Sequence, residues 1–219
     1  LIHLEMEGIF MKMSMLTREL LQKWRNLIAE IEVADFSVLQ MEKGKKLLSD
    51  MRNIHNKIAL ATLSIDKHML AVTGRQGAGK TTFIKTLYNL DNTYLPENLS
   101  RGEQLPVLIT ESNISAPIGR VWRASNEDGV GISIKCCKLS NSEFKEIAMN
   151  PSEQDVWLEL LVPNKYFFDD KISLVLLPGF ENDRHQRSQE LLLHMLRLSI
   201  SSIIVFNKEV YARESNDRV

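Results

Sequence analysis

The chain has 219 residues and a formal net charge of −1, enough for one sizeable domain or a domain with an appendage, and too little bulk charge to argue for nucleic acid or an anionic membrane. Its two cysteines, Cys136 and Cys137, are neighbours, which excludes a disulfide framework and a zinc-type spacing and points to a reducing, cytoplasmic compartment. No apolar run reaches membrane-spanning length and no secretory signal is evident, while the start on Leu1 and the polar run Glu214 to Val219 read as the ends of a fragment.

Residues 1–13 carry no clear pattern. From Ser14 the period becomes helical, with Leu16, Leu20, Leu21, Trp24, Leu27, Ile28 and Ile31 on one stripe, and Thr17 with Glu19 at its start. Asp35 is the expected N-cap of a second helix, whose inner face would hold Phe36, Leu39, Leu47, Leu48, Met51, Ile54 and Ile58. Gly44 weakens that helix by about 1 kcal/mol relative to Ala. Residues 1–66 are therefore expected to form an N-terminal helical hairpin, and residues 67–219 a separate domain. So apolar a hairpin needs a covering surface, either the following domain or the other half of a helical stalk.

His68 to Thr73 reads as a strand buried on both faces, as in a parallel sheet. It leads into Gly74-Arg-Gln-Gly-Ala-Gly-Lys-Thr81, and a helix over Thr82 to Leu90 follows with Phe83, Ile84, Leu87 and Leu90 turned inward. Strand, Gly-x-x-x-x-Gly-Lys-Thr and helix in that order form a phosphate-binding loop. Glycines let backbone N–H groups curl toward phosphate oxygens, and the helix turns its positive end to the same anion. Lys80 would set its ammonium between the β- and γ-phosphates, and the Thr81 hydroxyl would face Mg2+.

Further on, Asp91 to Asn98 is turn chemistry, and Val107 to Thr110 is a strand after Pro106. Val121–Arg123 and Ile132–Cys136 read as a hairpin around Asn126 to Gly129. A short helix over Glu143–Met149, capped by Asn141 or Ser142, stops at Asn150-Pro151. Val156–Val162 and Lys171–Leu177 are strands, Gln189–Ser199 is a helix with Leu191, Leu192, Met195, Leu196 and Leu198 as candidates for its buried side, and Ser202–Phe206 is a last buried strand. Strands alternating with helices after residue 68 make the fold class α/β, a three-layer P-loop NTPase with a mostly parallel sheet, incomplete at its C-terminus. Any ligand belongs at the carboxyl ends of the strands.

The loop, then Leu95-Pro96, then Pro106-Val-Leu-Ile-Thr-Glu111, then Leu158 to Pro163, then Ile172-Ser-Leu-Val-Leu-Leu-Pro-Gly-Phe180 form an ordered set. That order resembles the GTPase domain of dynamin-like large GTPases over roughly residues 15–207. The resemblance gives Gln76 the place of the family's loop glutamine and gives the helices before residue 66 the place of its neck or bundle segment. It implies GTP and Mg2+ as cofactors, with Gln76, Lys80 and Thr81 closest to the chemistry and Thr81 on the metal. The nucleotide-binding set it implies is Gly74, Arg75, Gln76, Gly77, Ala78, Gly79, Lys80, Thr81, Thr82, Pro178 and Gly179. It further implies self-association through the GTPase domain and the helical bundle, peripheral membrane contact and membrane remodelling.

The departures bear on mechanism. Gly77 replaces the family's usual Ser, and Leu176 stands where its second switch carries a Mg2+-linked Asp. Where the first switch should offer Thr, the matching registers give Glu103, Leu105 or Pro106, with Thr110 a few residues on. Phosphate binding needs only the loop and Lys80, whereas hydrolysis needs an ordered metal and a held water. The expectation is binding with slow or absent turnover. Asn207-Lys-Glu-Val210 lacks the Asp of a guanine-reading segment, so base choice stays open between GTP and ATP. Two alternatives follow: an ATP-binding ATPase or kinase that draws on Glu181 or Asp183, and a non-catalytic module that holds a partner. The five histidines show no metal spacing; Arg184, His185 and Arg187 read as a charged loop, and Trp24, Trp122 and Trp157 as packing residues.

Overall fold

The computed structural model describes residues 17–20, 22–24, 26–27, 42–95, 105–125, 133–152, 154–169, 171–179 and 186–207. The chain divides into two compact units, one of residues 1–66 with 124–135, the other of residues 67–123 with 136–219.

In the first unit, residues 17–20, 22–24 and 26–27 are helical, and helix α1 spans Glu42–Asp66. The turn of the expected hairpin, with Asp35, lies outside the described residues. Leu20, Trp24 and Leu27, expected on a buried stripe, are 57%, 51% and 47% exposed, and Ile54 of α1 is 48% exposed. Asn56, Ala59 and Leu60 of α1 are buried.

A seven-stranded sheet makes up most of the second unit, with residues 124–125 and 133–135 of its strands assigned to the first. Its strands are β1 (His68–Thr73), β2 (Val107–Ser112), β3 (Ile118–Ser125), β4 (Ser133–Leu139), β5 (Asp155–Pro163), β6 (Ile172–Leu176) and β7 (Ser201–Ile204), in the spatial order β4-β3-β5-β2-β6-β1-β7. The helices are α2 (Lys80–Tyr88), α3 (Asn141–Met149) and α4 (Gln186–Leu198). β1 pairs in parallel with both β6 and β7, and β2 pairs in parallel with β5. β2 runs antiparallel to β6, however, and β3 antiparallel to β5. The sheet is mostly parallel and compatible with a P-loop NTPase-like fold. An apolar run buried on both faces does not encode its own direction, which is why β2 was not readable as reversed.

Alternation along each strand separates two faces. One face carries Val72, Val107, Ile109, Val121, Leu158, Leu160, Leu174 and Leu176, which cluster with Ile84 and Tyr88 of α2 and with Phe144 and Ala148 of α3. Phe144 lies over Gly119, where an added Cβ would come within 2.6 Å of its ring. Burying such a ring is worth roughly 1.5–3 kcal/mol. The cap of α3 is Ser140, not Asn141 or Ser142: its side chain accepts from the Glu143 N–H while the Glu143 carboxylate accepts from the Ser140 N–H, a full capping box.

The other face mixes apolar and charged residues. Thr110 and Ser173 join hydroxyls at 2.7 Å across β2 and β6. The Lys67 ammonium donates to Thr110 Oγ1 at 3.1 Å and to Glu159 Oε1 at 2.9 Å. Glu159 Oε2 accepts from Trp122 Nε1 at 3.2 Å and faces Arg120 at 3.8 Å. Trp122 stacks on Trp157 with centroids 5.1 Å apart, which agrees with packing roles for both.

β7 departs from expectation. All four of its residues are exposed, as are Ile200 and Phe206, although the apolar run reads as a buried strand. β7 is the edge of the sheet and pairs only with β1 among the described residues.

Candidate functional site

β1 delivers the chain to Gly74 at its carboxyl end, and α2 carries it away from Lys80. Between them the backbone takes positive φ at Gly74 (148°), Gly77 (74°) and Gly79 (94°). Residues with a Cβ rarely adopt these angles, so glycine at these places is a requirement of the loop's path. A tight turn closes inside the loop, where the Ala78 N–H donates to Arg75 O at 3.2 Å. Gly79 is the N-cap of α2 and provides no side-chain cap; the first regular bond is Phe83 N–H to Gly79 O at 2.8 Å. The helix therefore turns its positive end into the loop.

Lys80 is only 6% exposed. Its ammonium folds back into the loop and donates to Gly74 O and to Arg75 O, each at 3.1 Å. A cation enclosed by a curled backbone at a helix N-terminus is the arrangement that accepts phosphate oxygens. Thr81 and Gln76 are half-buried, and Arg75, Gly77 and Thr82 are exposed on the outer side of the loop.

Two neighbouring backbones hold the loop in place. Leu176 of β6 lies opposite Val72 of β1, and the Leu177 N–H donates to Val72 O at 3.1 Å. The chain then passes through buried Pro178 to Gly179, where an added Cβ would stand 2.9 Å from both Gln76 Cα and Gln76 N. On the other flank the Val205 N–H donates to Thr73 O at 2.8 Å. Its carbonyl faces Gly74 so closely that a Cβ there would lie 2.4 Å away. Gly179 thus meets the backbone of the loop at Gln76. Val205 is a contact that sequence reasoning did not identify; the only signal for it was an apolar strand ending at the right level of the sheet.

The switch positions are less well equipped. Leu176 and Leu177 have no exposed surface and no side-chain oxygen to offer a cation. Thr110, the nearest threonine to the first-switch position, is 1% exposed and bound to Ser173 and Lys67. It stands opposite Ser173, three residues back from Leu176 along β6, roughly 10 Å below the strand end. It therefore cannot serve the loop. Leu105 and Pro106 are buried; Glu103, Glu181, Asp183, Arg184 and His185 lie outside the described residues, as does most of the 207–210 segment.

The residues present fit a phosphate group: three glycines with positive φ, a helix N-terminus and an enclosed ammonium. They fit Mg2+ less fully: the loop itself offers that ion the side-chain oxygens of Gln76, Thr81 and Thr82 and no carboxylate. No group of three or more His, Cys, Asp or Glu side chains gathers among the described residues, and Cys136 and Cys137 are free and exposed. No described helix is long and apolar enough to cross a membrane.

At the opposite end of the sheet, β2 ends in a buried carboxylate. Glu111 is 1% exposed and accepts four backbone N–H groups, from Lys165, Tyr166, Phe167 and Phe168, at 2.8–3.0 Å. Burial acts to raise its pKa, but the four donors outweigh it and hold the carboxyl below the usual range. Tyr88, beside it, has its pKa pushed well above the ordinary phenol value, first by burial and then by the Glu111 charge. This cluster is structural: it fixes the turn between β5 and β6.

No family model and no curated protein matches the chain. Among solved structures, two chains from an oligomerised bacterial dynamin pair, described as a mechanism for the long-range sensing and tethering of membranes, resemble it at 16% identity. One has a TM-score of 0.40 and covers 75% of this chain and 31% of its own; the other has 0.44, with 89% and 30%. The chain thus spans less than a third of either, and likeness at this level fixes no activity, ligand or partner.

Proposed function

We propose that the chain is a nucleotide-binding module of dynamin-like GTPase type, holding the phosphates of a guanine nucleotide on residues 74–82 with slow or absent hydrolysis. The observation that carries this reading is the Lys80 ammonium enclosed in the loop, 3.1 Å from Gly74 O and Arg75 O, at the N-terminus of α2. When nucleotide binds, the ammonium exchanges those carbonyls for phosphate oxygens, and the inward N–H groups of the loop share the remaining charge. Gln76, clamped by Gly179, keeps the loop against the end of β6. Slow turnover follows because Leu176, Leu177 and Thr110 supply neither a metal ligand nor a water-holding hydroxyl at the loop. Guanine preference, self-association, peripheral membrane contact and a cytoplasmic place rest on the order of sequence motifs that resembles dynamin-like proteins.

The test is competition of unlabelled GTP and ATP against a fluorescent GTP analogue, with phosphate release followed in parallel. Displacement by GTP in preference to ATP, with little phosphate released, is expected. Preference for ATP would move the chain to the ATPase or kinase class. Rapid phosphate release abolished by Lys80→Ala would overturn the slow-turnover part. A tight GTP complex that neither hydrolyses nor assembles, followed by light scattering, would favour the partner-holding module.

A further inference from the structure

We infer that Phe206 is the platform on which the nucleobase stacks, so that the end of β7 forms the base subsite of the loop. The inference rests on the nucleotide-binding reading above and concerns the part of the nucleotide that residues 74–82 do not hold. A curled loop of backbone N–H groups with one ammonium grips phosphates. The base is a flat ring with an apolar face, and it gains affinity from an aromatic surface beside that loop.

β7 ends where such a surface is needed. It runs parallel to β1 with Ile204 opposite Thr73, so Val205 reaches the level of Gly74 and Phe206 follows beside the loop. The Val205 N–H donates to Thr73 O at 2.8 Å, and the Val205 carbonyl faces Gly74 so closely that a Cβ there would lie 2.4 Å away. Neighbouring strands lie about 4.8 Å apart and successive Cα atoms about 3.8 Å apart, which puts Phe206 Cα within roughly 9 Å of Gly74 Cα. Val205 packs against the core cluster shared with α2, whereas Phe206 is 71% exposed. One exposed ring is ordinary by itself; the placement of this one, fixed by backbone contacts one residue from the first glycine of the loop, is what gives it a role. The other exposed rings of the second unit, Tyr166 and Phe168, lie in the turn bound by Glu111, at the far end of β2. On the opposite flank of the loop the end of β6 is packed shut, with Leu176 and Leu177 fully buried and Gly179 against Gln76. Stacking is tolerant of base identity because every base has a π-face, so Phe206 adds affinity without choosing between GTP and ATP.

The test is calorimetric titration of wild type, Phe206→Ala, Phe206→Leu and Phe206→Tyr with GTP, ATP and inorganic tripolyphosphate, with thermal melts confirming that each protein is folded. Phe206→Ala and Phe206→Leu are expected to weaken GTP by about tenfold or more and ATP by the same factor. Phe206→Tyr, which keeps the ring, is expected to stay within about threefold of wild type. Tripolyphosphate, which has no base, is expected to bind all four proteins within about twofold. Unchanged GTP affinity in Phe206→Ala or in Phe206→Leu overturns the inference, since neither variant can stack a base. A loss that extends to tripolyphosphate also overturns it, because Phe206 would then act through the shape of the loop. Absence of binding of all three ligands by wild type contradicts the nucleotide-binding reading itself, an outcome distinct from failure of the base subsite.

Discussion

Replacing Gly74 with alanine tests whether the loop is clamped by Val205, the residue after β7. The added methyl would stand 2.4 Å from Val205 O, a backbone atom whose own residue is tied to Thr73 O at 2.8 Å. Neither partner can swing aside as a side chain would. Overpacking of this kind costs roughly 1–3 kcal/mol, and holding alanine at a φ of 148° adds about 1–2 kcal/mol. The expected loss of stability is about 2–5 kcal/mol, a large share of a typical domain's total. Gly77→Ala is the control: its φ is 74° but no atom lies within 4 Å of an added Cβ, so only the backbone cost of about 1–2 kcal/mol applies. Urea unfolding followed by far-ultraviolet circular dichroism reads both. If the two variants unfold within about 0.5 kcal/mol of each other, the Val205 carbonyl does not sit on Gly74 and the clamp is refuted.

Gly179→Ala should push the loop through Gln76, lowering affinity for the GTP analogue by about tenfold or more while costing about 1–3 kcal/mol of stability; unchanged affinity would show that the contact does not shape the site. Glu111→Gln, which trades a carboxylate with four donors for an amide with one oxygen, should cost about 2–4 kcal/mol at pH 7, measured by urea unfolding. Because the folded carboxyl titrates below its ordinary value of 4.5, this stability is present above that pH and is lost as the pH falls through the folded value, so the two proteins should converge in acid. A gap that stays constant down to pH 3 would contradict the assignment. Lys67→Met leaves Glu159, 4% exposed, with only Trp122 and the more distant Arg120, and should cost about 2–4 kcal/mol, partly recovered in the Lys67→Met/Glu159→Gln double variant; a loss below about 0.5 kcal/mol would show the pair to be solvent-screened.

The backbone path of residues 74–80 was legible because it leaves little choice: glycine where φ is positive, a strand before and a helix after. β1, β5 and β6 were legible as predominantly apolar runs. Direction and neighbours were not. β2 reads the same whether parallel or reversed, and Ile203, Ile204 and Phe206 read as buried although they stand on an exposed edge. Ser140 carried a readable signature, Ser-x-x-Glu, yet Asn141 and Ser142 offered the same chemistry one and two positions later. The role of Glu111 could not be read at all, because its four donors lie 54 to 57 residues further along the chain. Leu176 was the reverse case: an apolar residue where the resemblance calls for an acid, and the structure buries it completely.

Titration of the GTP analogue against wild type and Lys80→Ala, with thermal melts confirming that both are folded, tests the central claim most directly. Saturable binding by wild type that is lost or weakened at least about a hundredfold in Lys80→Ala is the expected result. Equal binding by the two proteins, or no binding of GTP or ATP by wild type, would contradict it.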